Sequence, residues 1–225
     1  MCSSDLTGFN GTKAAGITLP SEGKQSLRSR FRSLRAEAVA EAGPMILQVA
    51  RRELPALLAP DLHLGLYWPL PGEPDLRPLA TLHPLLALPA ISADPPELQY
   101  RPWQPGSPLA VDRYGIPTPP PPVEAEAILR PPALGLLLVP ALSFDPRRGI
   151  RLGYGGGWYD RLRADPGWAA VPALAVLPSS CLSNGLPADA WDVPFQGWLD
   201  ELGVHRIPAA SMAQPPDGTL RAAGL

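Results

Sequence analysis

The sequence predicts an α/β fold, layered, with a largely parallel central sheet and flanking helices. Three observations predict it. Two short runs, LGLLLV (residues 134–139) and ALAVL (173–177), are apolar throughout, as strands buried on both faces are. The stretch from Lys24 carries Leu27, Phe31, Leu34 and Ala38 on one helical face. Helical segments interleaved with buried strands give a parallel sheet with helices packed against it.

In chain order, residues 1–20 are rich in Gly, Ser and Thr without periodicity and read as a disordered leader. A helix is expected from Lys24 to about Gly43. Gly43-Pro44 should end it, because proline lacks an N–H and its ring collides with the preceding turn. A second helix is then expected from Pro44 to Leu54. Strands are expected at 63–68, 85–91, 97–102, 134–139 and 173–177, and a short helix from Tyr159 to Ala164. The PTPPPP run at 117–122 reads as a polyproline spacer. Residues 205–225 read as a flexible tail, which leaves 21–204 as a single domain. The 32 prolines favour short elements joined by rigid turns.

The 225 residues suffice for a substantial core. A formal charge of −2 argues against non-specific nucleic-acid binding. Cys2 and Cys181 are the only cysteines, so no disulfide framework is expected. The longest apolar runs, such as Ala133 to Leu142, are too short to span a bilayer and contain proline. The N-terminus lacks a basic-then-apolar signal pattern. A soluble, cytoplasmic monomer without nucleic-acid or membrane partners is the expectation. His63, His83 and His205 show no metal-ligand spacing, and no serine sits in a GxSxG turn.

Residues 151–160, RLGYGGGWYD, concentrate the chemical information. Gly153, Gly155, Gly156 and Gly157 stand between Arg151 and the pair Trp158-Tyr159, followed by Asp160. Glycines this dense let successive backbone N–H groups curl into an anion-holding nest, with a following helix N-terminus adding its dipole. Arg151 adds a fixed guanidinium fork, and Asp160 a carboxylate able to hold Mg²⁺. A nucleotide-phosphate site is the reading. The P-loop pattern does not fit, since no lysine follows the glycines, and Trp158 occupies the third glycine position of GxGxxG. A glycine-rich turn with an exposed arginine is the plainer alternative.

The run LLLVPALSFDPRRGIRLGYGGGWYDRL (Leu136 to Leu162) resembles the signature of the 5-formyltetrahydrofolate cyclo-ligase family, also called 5,10-methenyltetrahydrofolate synthetases. Ala141 replaces the usual glycine, and Trp158 the first tyrosine. KQSLRSRFR from Lys24 is similar to the family's KxxLR helix. GLYWPLPGEPDLRPL (Gly65 to Leu79) and LQYRPWQPGSPLAVDRYGIPTP (Leu98 to Pro119) also resemble family segments, with Thr118 in place of an acid. The resemblance spans about residues 24 to 203.

Lys24 and Arg28, spaced i, i+4, share a helix face. On spacing alone a solvated basic face is the favoured reading. The resemblance implies instead that they bind ATP together with Arg151, Leu152, Gly153, Tyr154, Gly155, Gly156, Gly157, Trp158 and Tyr159. It implies that Trp68 and Glu73 bind a reduced folate with Tyr154, Gly155, Gly156, Gly157 and Trp158. Tyr67, Trp68 and Trp103 could form an aromatic wall for a flat ring, or belong to the core. Arg151 and Asp160 are the implied catalytic residues, with Asp160 as the Mg²⁺ ligand. The family's second acid falls on Gln196, an amide in place of a carboxylate. Asp192 matches the aspartate of an HD pair whose histidine is replaced by Trp191. The glutamine usual near Ser180 and Cys181 is also missing. The implied reaction is ATP-driven cyclisation of 5-formyltetrahydrofolate to 5,10-methenyltetrahydrofolate. A non-catalytic nucleotide- or folate-binding module, favoured by Gln196 and Trp191, is the alternative, followed by an ATP-dependent ligase for another formyl or amide substrate.

Overall fold

In the computed structural model, which describes residues 23–122 and 128–208, a seven-stranded sheet organises the chain. Its strands are β1 (His63–Gly65), β2 (Leu86–Ile91), β3 (Leu98–Trp103), β6 (Leu134–Pro140), β9 (Ala173–Val176), β10 (Gly197–Leu199) and β11 (Val204–Arg206). Two hairpins stand outside it: β4 (Ala110–Val111) with β5 (Pro117–Thr118), and β7 (Ser143–Asp145) with β8 (Ile150–Leu152). The helices are α1 (Lys24–Glu53), α2 (Trp158–Arg163) and α3 (Pro166–Ala170). The sheet order is β11-β10-β9-β6-β1-β2-β3. The inner neighbours pair in parallel, and the edge strands β3 and β11 are antiparallel.

Successive residues of a strand point to opposite faces, and the core divides accordingly. Leu137 and Val139 of β6 and Ala173 and Ala175 of β9 pack with Leu27 and Phe31 of α1 and Leu162 of α2. Leu136, Leu138, Leu174 and Val176 face the other way, onto Ala42, Ile46, Val49, Ala50 and Leu54. The two apolar runs that predicted the fold are thus strands covered on both faces.

Three sequence expectations need correction. α1 does not end at Gly43-Pro44; it continues through Pro44 to Glu53 as one helix of 30 residues. Pro44 itself is exposed, while Ala42, Gly43 and Ile46 around it are buried. That burial outweighs the roughly 3 kcal/mol that an interior proline costs. The tail does not begin at 205 either. His205 and Arg206 lie in β11, and Ile207 is buried in the core. The start of the proline run is also structured: Pro117 and Thr118 form β5, and buried Thr118 donates to the Pro89 carbonyl (3.0 Å). The expected leader at 1–20 lies outside the described residues, as do 209–225. No helix among the described residues is long and apolar enough to cross a membrane.

The topology places a site. From β1 the chain moves outward to β2 and β3; from β6 it moves the opposite way to β9, β10 and β11. β1 and β6 are parallel neighbours, so the winding reverses between them. In open α/β sheets the crevice at the C-terminal ends of such strands is where ligands bind.

Candidate active site

The segment leaving β1, Leu66 to Glu73, forms one wall of that crevice. Its turn closes on itself: Glu73 N–H donates to the Leu70 carbonyl (2.9 Å), and Leu70 N–H donates to Glu73 Oε2 (2.8 Å). This reciprocal pair buries the Glu73 side chain to 1% exposure. Burial pushes its pKa up, against the opposing hydrogen bond from Leu70 N–H, the charge of Arg35 and the Tyr154 hydroxyl. Trp68 is held from two sides. Trp103 meets it edge-on at 6.4 Å, and the Arg77 guanidinium lies 4.2 Å from its ring centroid. Asp75 fixes Arg77 in turn through a two-pronged pair (2.9 and 2.7 Å). Trp103 is buried behind Trp68 and does not line the cavity, whereas Tyr67 does.

The opposite wall is the glycine segment. The β7–β8 hairpin delivers it, and buried Asp145 shapes that hairpin by accepting from the N–H groups of Arg147, Arg148 and Gly185. Arg151, on β8, is pinned rather than free. Its Nη1 donates to the Pro140 carbonyl at the end of β6 (3.2 Å), it lies over the Tyr159 ring, and Asp160 stands 3.7 Å away. Gly155 and Gly157 have φ of +101° and +64°, values closed to most side chains. A Cβ on Gly155 would also press on Arg28 at 3.3 Å.

α1 supplies the third side. Arg28 Nε donates to the Gly153 carbonyl (3.1 Å), which fixes the loop to the helix. Lys24 Nζ bridges Asp189 (2.5 Å) and Asp192 (3.0 Å). Burial lowers the Lys24 pKa, but the two carboxylates together outweigh it and the net direction is upward.

These walls enclose one cavity of about 610 Å³. Lys24, Arg28, Trp68, Glu73 and every residue from Arg151 to Asp160 line it. Gln196 does not: its amide oxygen accepts from Ala173 N–H at 2.9 Å, inside the sheet. Sequence reasoning missed four participants. Asp112 and Tyr114 reach the cavity from the β4–β5 turn, where Tyr114 meets Trp158 edge-on at 6.3 Å. Asp189, three residues before Asp192, pairs with Lys24. Arg35, eleven residues after Lys24, reaches Glu73 from behind the wall. A polar residue on the otherwise apolar face of α1 was the available signal for Arg35. For the other three, no local pattern separates them from ordinary turn residues.

Among the described residues no group of three or more His, Cys, Asp or Glu is arranged to hold a metal. Asp160 is the carboxylate of the glycine segment itself, while Asp189 and Asp192 are held by Lys24 across the cavity.

A three-sided cleft at the reversal point of a parallel sheet, with an arginine-flanked glycine loop facing an aromatic and carboxylate wall, defines an α/β enzyme. The model of the 5-formyltetrahydrofolate cyclo-ligase family matches residues 20–199, and the chain belongs to that family. It is similar to the 5-formyltetrahydrofolate cyclo-ligase of Mycolicibacterium smegmatis, at 35% identity over 136 residues (56% of this chain, 67% of that protein). The protein of the same name from Escherichia coli K12 is 26% identical over 182 residues, covering 75% of this chain and 93% of the relative. Among solved structures, the 5,10-methenyltetrahydrofolate synthetase of Aquifex aeolicus superposes with a TM-score of 0.63 at 27% identity, covering 89% of this chain and 98% of the other. The synthetase of Mycoplasma pneumoniae shares the fold, with a TM-score of 0.58 at 18% identity over 80% of this chain and 99% of the other.

Proposed function

We propose that this chain converts 5-formyltetrahydrofolate to 5,10-methenyltetrahydrofolate with consumption of ATP. One observation carries the reading: the glycine segment with Arg28 and Arg151, and the wall of Trp68 and Glu73, line a single cavity. Two substrates held on facing walls can exchange a phosphoryl group directly.

The chemical obstacle is the amide-like oxygen of the formyl group, which is a poor leaving group. Attack of that oxygen on the γ-phosphorus releases ADP and turns the oxygen into part of a phosphate ester. N10 of the folate then adds to the activated carbon, loses its proton, and inorganic phosphate departs as the ring closes. The protein's share is positioning and charge stabilisation. Arg28 and Arg151 neutralise phosphate oxygens, and the loop N–H groups add further donors. Lys24 joins them once the phosphates compete for it with Asp189 and Asp192. Trp68 stacks on the pterin, and Glu73 accepts hydrogen bonds from it. Asp160 suits a magnesium ion that arrives with the nucleotide, because Mg²⁺ takes one or two carboxylates and completes its shell with phosphate oxygens and water. When bound, that ion would spread the phosphate charge. Gln196 has no part in this, its oxygen being committed to Ala173.

The test follows absorbance at the methenyl-folate band with purified protein, 5-formyltetrahydrofolate, Mg²⁺ and ATP. Growth of the band only when ATP is present is the expected result. A flat trace with ATP still bound in a parallel titration would favour a binding module. ADP release with another formyl compound, and none with this folate, would favour a ligase of different substrate.

A further inference from the structure

Behind the substrate wall lies a buried cluster that joins four separate segments. Arg35 of α1 is 1% exposed. Its Nη1 donates to the Ala141 carbonyl at the end of β6 (3.1 Å) and stands 3.4 Å from Glu73 Oε1. Its Nη2 donates to the Tyr154 hydroxyl, which in turn donates to the same Glu73 oxygen (2.8 Å). Glu73 Oε2 is held by Leu70 N–H. One carboxylate is therefore gripped by the helix, by its own turn and by the glycine loop, and the guanidinium is the hub of the three.

A buried arginine is costly unless it is paired, so its presence on the otherwise apolar buried face of α1 asks for a function. Packing does not need it: the α1 residues that cover the sheet, Leu27, Phe31, Ile46 and Val49, are apolar. We infer that Arg35 is a positioning residue for the folate subsite, which keeps the Glu73 carboxylate ionised and aimed into the cavity and ties it, through Tyr154, to the phosphate loop. The inference rests on the reading of Glu73 as the pterin acceptor. Arg35 does not line the cavity and acts on the ligand only through Glu73 and Tyr154.

The charge logic makes a sharp test. Burial raises the Glu73 pKa, and Arg35 opposes that rise. Tyr154, Tyr67 and Tyr159 around Glu73 each have a hydroxyl pushed upward by burial and neutral at physiological pH. Arg32 lies over the Tyr154 ring, Arg151 over the Tyr159 ring, and Asp75 pairs with Arg77 on the same turn. Arg35 is the cation in contact with Glu73, so its loss should push the carboxyl further up.

The experiment titrates 5-formyltetrahydrofolate into the full chain, follows quenching of tryptophan fluorescence, and repeats the titration from neutral pH down toward 4.5, the ordinary glutamate value. Wild-type affinity should fall on the acid side as Glu73 protonates. Arg35→Gln should move that midpoint to higher pH, while Arg35→Lys, which keeps the charge, should move it less. Tyr154→Phe, which removes one hydroxyl from a partly exposed side chain, should shift it in the same direction, and it decides the matter if Arg35→Gln does not fold. Unshifted midpoints in the folded variants overturn the inference and leave the functional reading standing. An acid limb that survives in Glu73→Gln overturns it as well, since the titrating group would lie elsewhere. No binding of this folate by wild-type protein at any pH overturns the inference together with the functional reading.

Discussion

In the proposed reaction Arg151 acts as a held donor, not a mobile one. Pinned by the Pro140 carbonyl and the Tyr159 ring, its guanidinium loses little freedom when a phosphate arrives. Arg151→Ala should lower turnover by about two orders of magnitude or more, as removal of a fixed transition-state donor does. Methenyl-band kinetics at saturating ATP measure it, and near wild-type rates would sink the assignment. Glu73 also links pH to stability. Its pKa is raised in the folded chain by burial, so the folded state holds that proton more tightly than the unfolded state. The stability this lends is fully present below the unfolded value of 4.5 and is lost as pH rises through the folded value. Relative to Glu73→Gln, wild-type protein should thus lose thermal stability as pH rises from 4.5 toward neutrality. Parallel melting curves at stepped pH reveal the sign. Cys181 is fully buried, and burial pushes its thiol up to about 11. It should resist iodoacetamide at neutral pH and react only on unfolding, as peptide mapping of Cys181 would show.

At the scale of elements, two strands and one helix carry contacts that a single atom would upset. A Cβ on Gly197 in β10 would lie 1.9 Å from the His205 carbonyl oxygen in β11. Gly197→Ala must therefore displace the edge strand, and a loss of about 1–3 kcal/mol in denaturant unfolding is expected, as for overpacked sites. Pro44 makes the opposite case. It is exposed inside a helix whose flanking turns are buried, so Pro44→Ala restores an N–H donor and should raise stability by up to about 3 kcal/mol. Unchanged denaturation would mean that the helix has already relaxed around the ring. The same helix shows where local reading fails. The proline is a breaker by local rules, but Ile46, Val49 and Ala50 reach the second core cluster only if the helix runs on. By contrast β6 and β9 were legible within a residue, because a strand buried on both faces shows its environment in every side chain. β10, β11 and the two hairpins, at two or three residues each, are too short to display a period.

For the whole molecule, the cavity and the fold share one seam. The cavity lies where the sheet winding reverses, between β1 and β6, and α1 closes it from the third side. Both substrates should accordingly protect the entire domain. Ligand at a hundredfold excess over its Kd stabilises by about 2.7 kcal/mol, or roughly 5–10 °C for a domain of this size. Thermal shift with ATP, with 5-formyltetrahydrofolate and with both measures it, and no shift with either would argue against a shared cleft. The sequence by itself determined the layered α/β class, the family signature from Leu136 to Leu162 and the glycine segment from Arg151 to Asp160, because these are consecutive residues whose chemistry is complete within one stretch of chain. Only the tertiary structure decided that Gln196 turns into the sheet, that Lys24 meets Asp189 and Asp192, and that Arg35 stands behind Glu73. Each of those relations joins residues more than twenty positions apart, and their meeting depends on strand order and helix path, which no local spacing encodes.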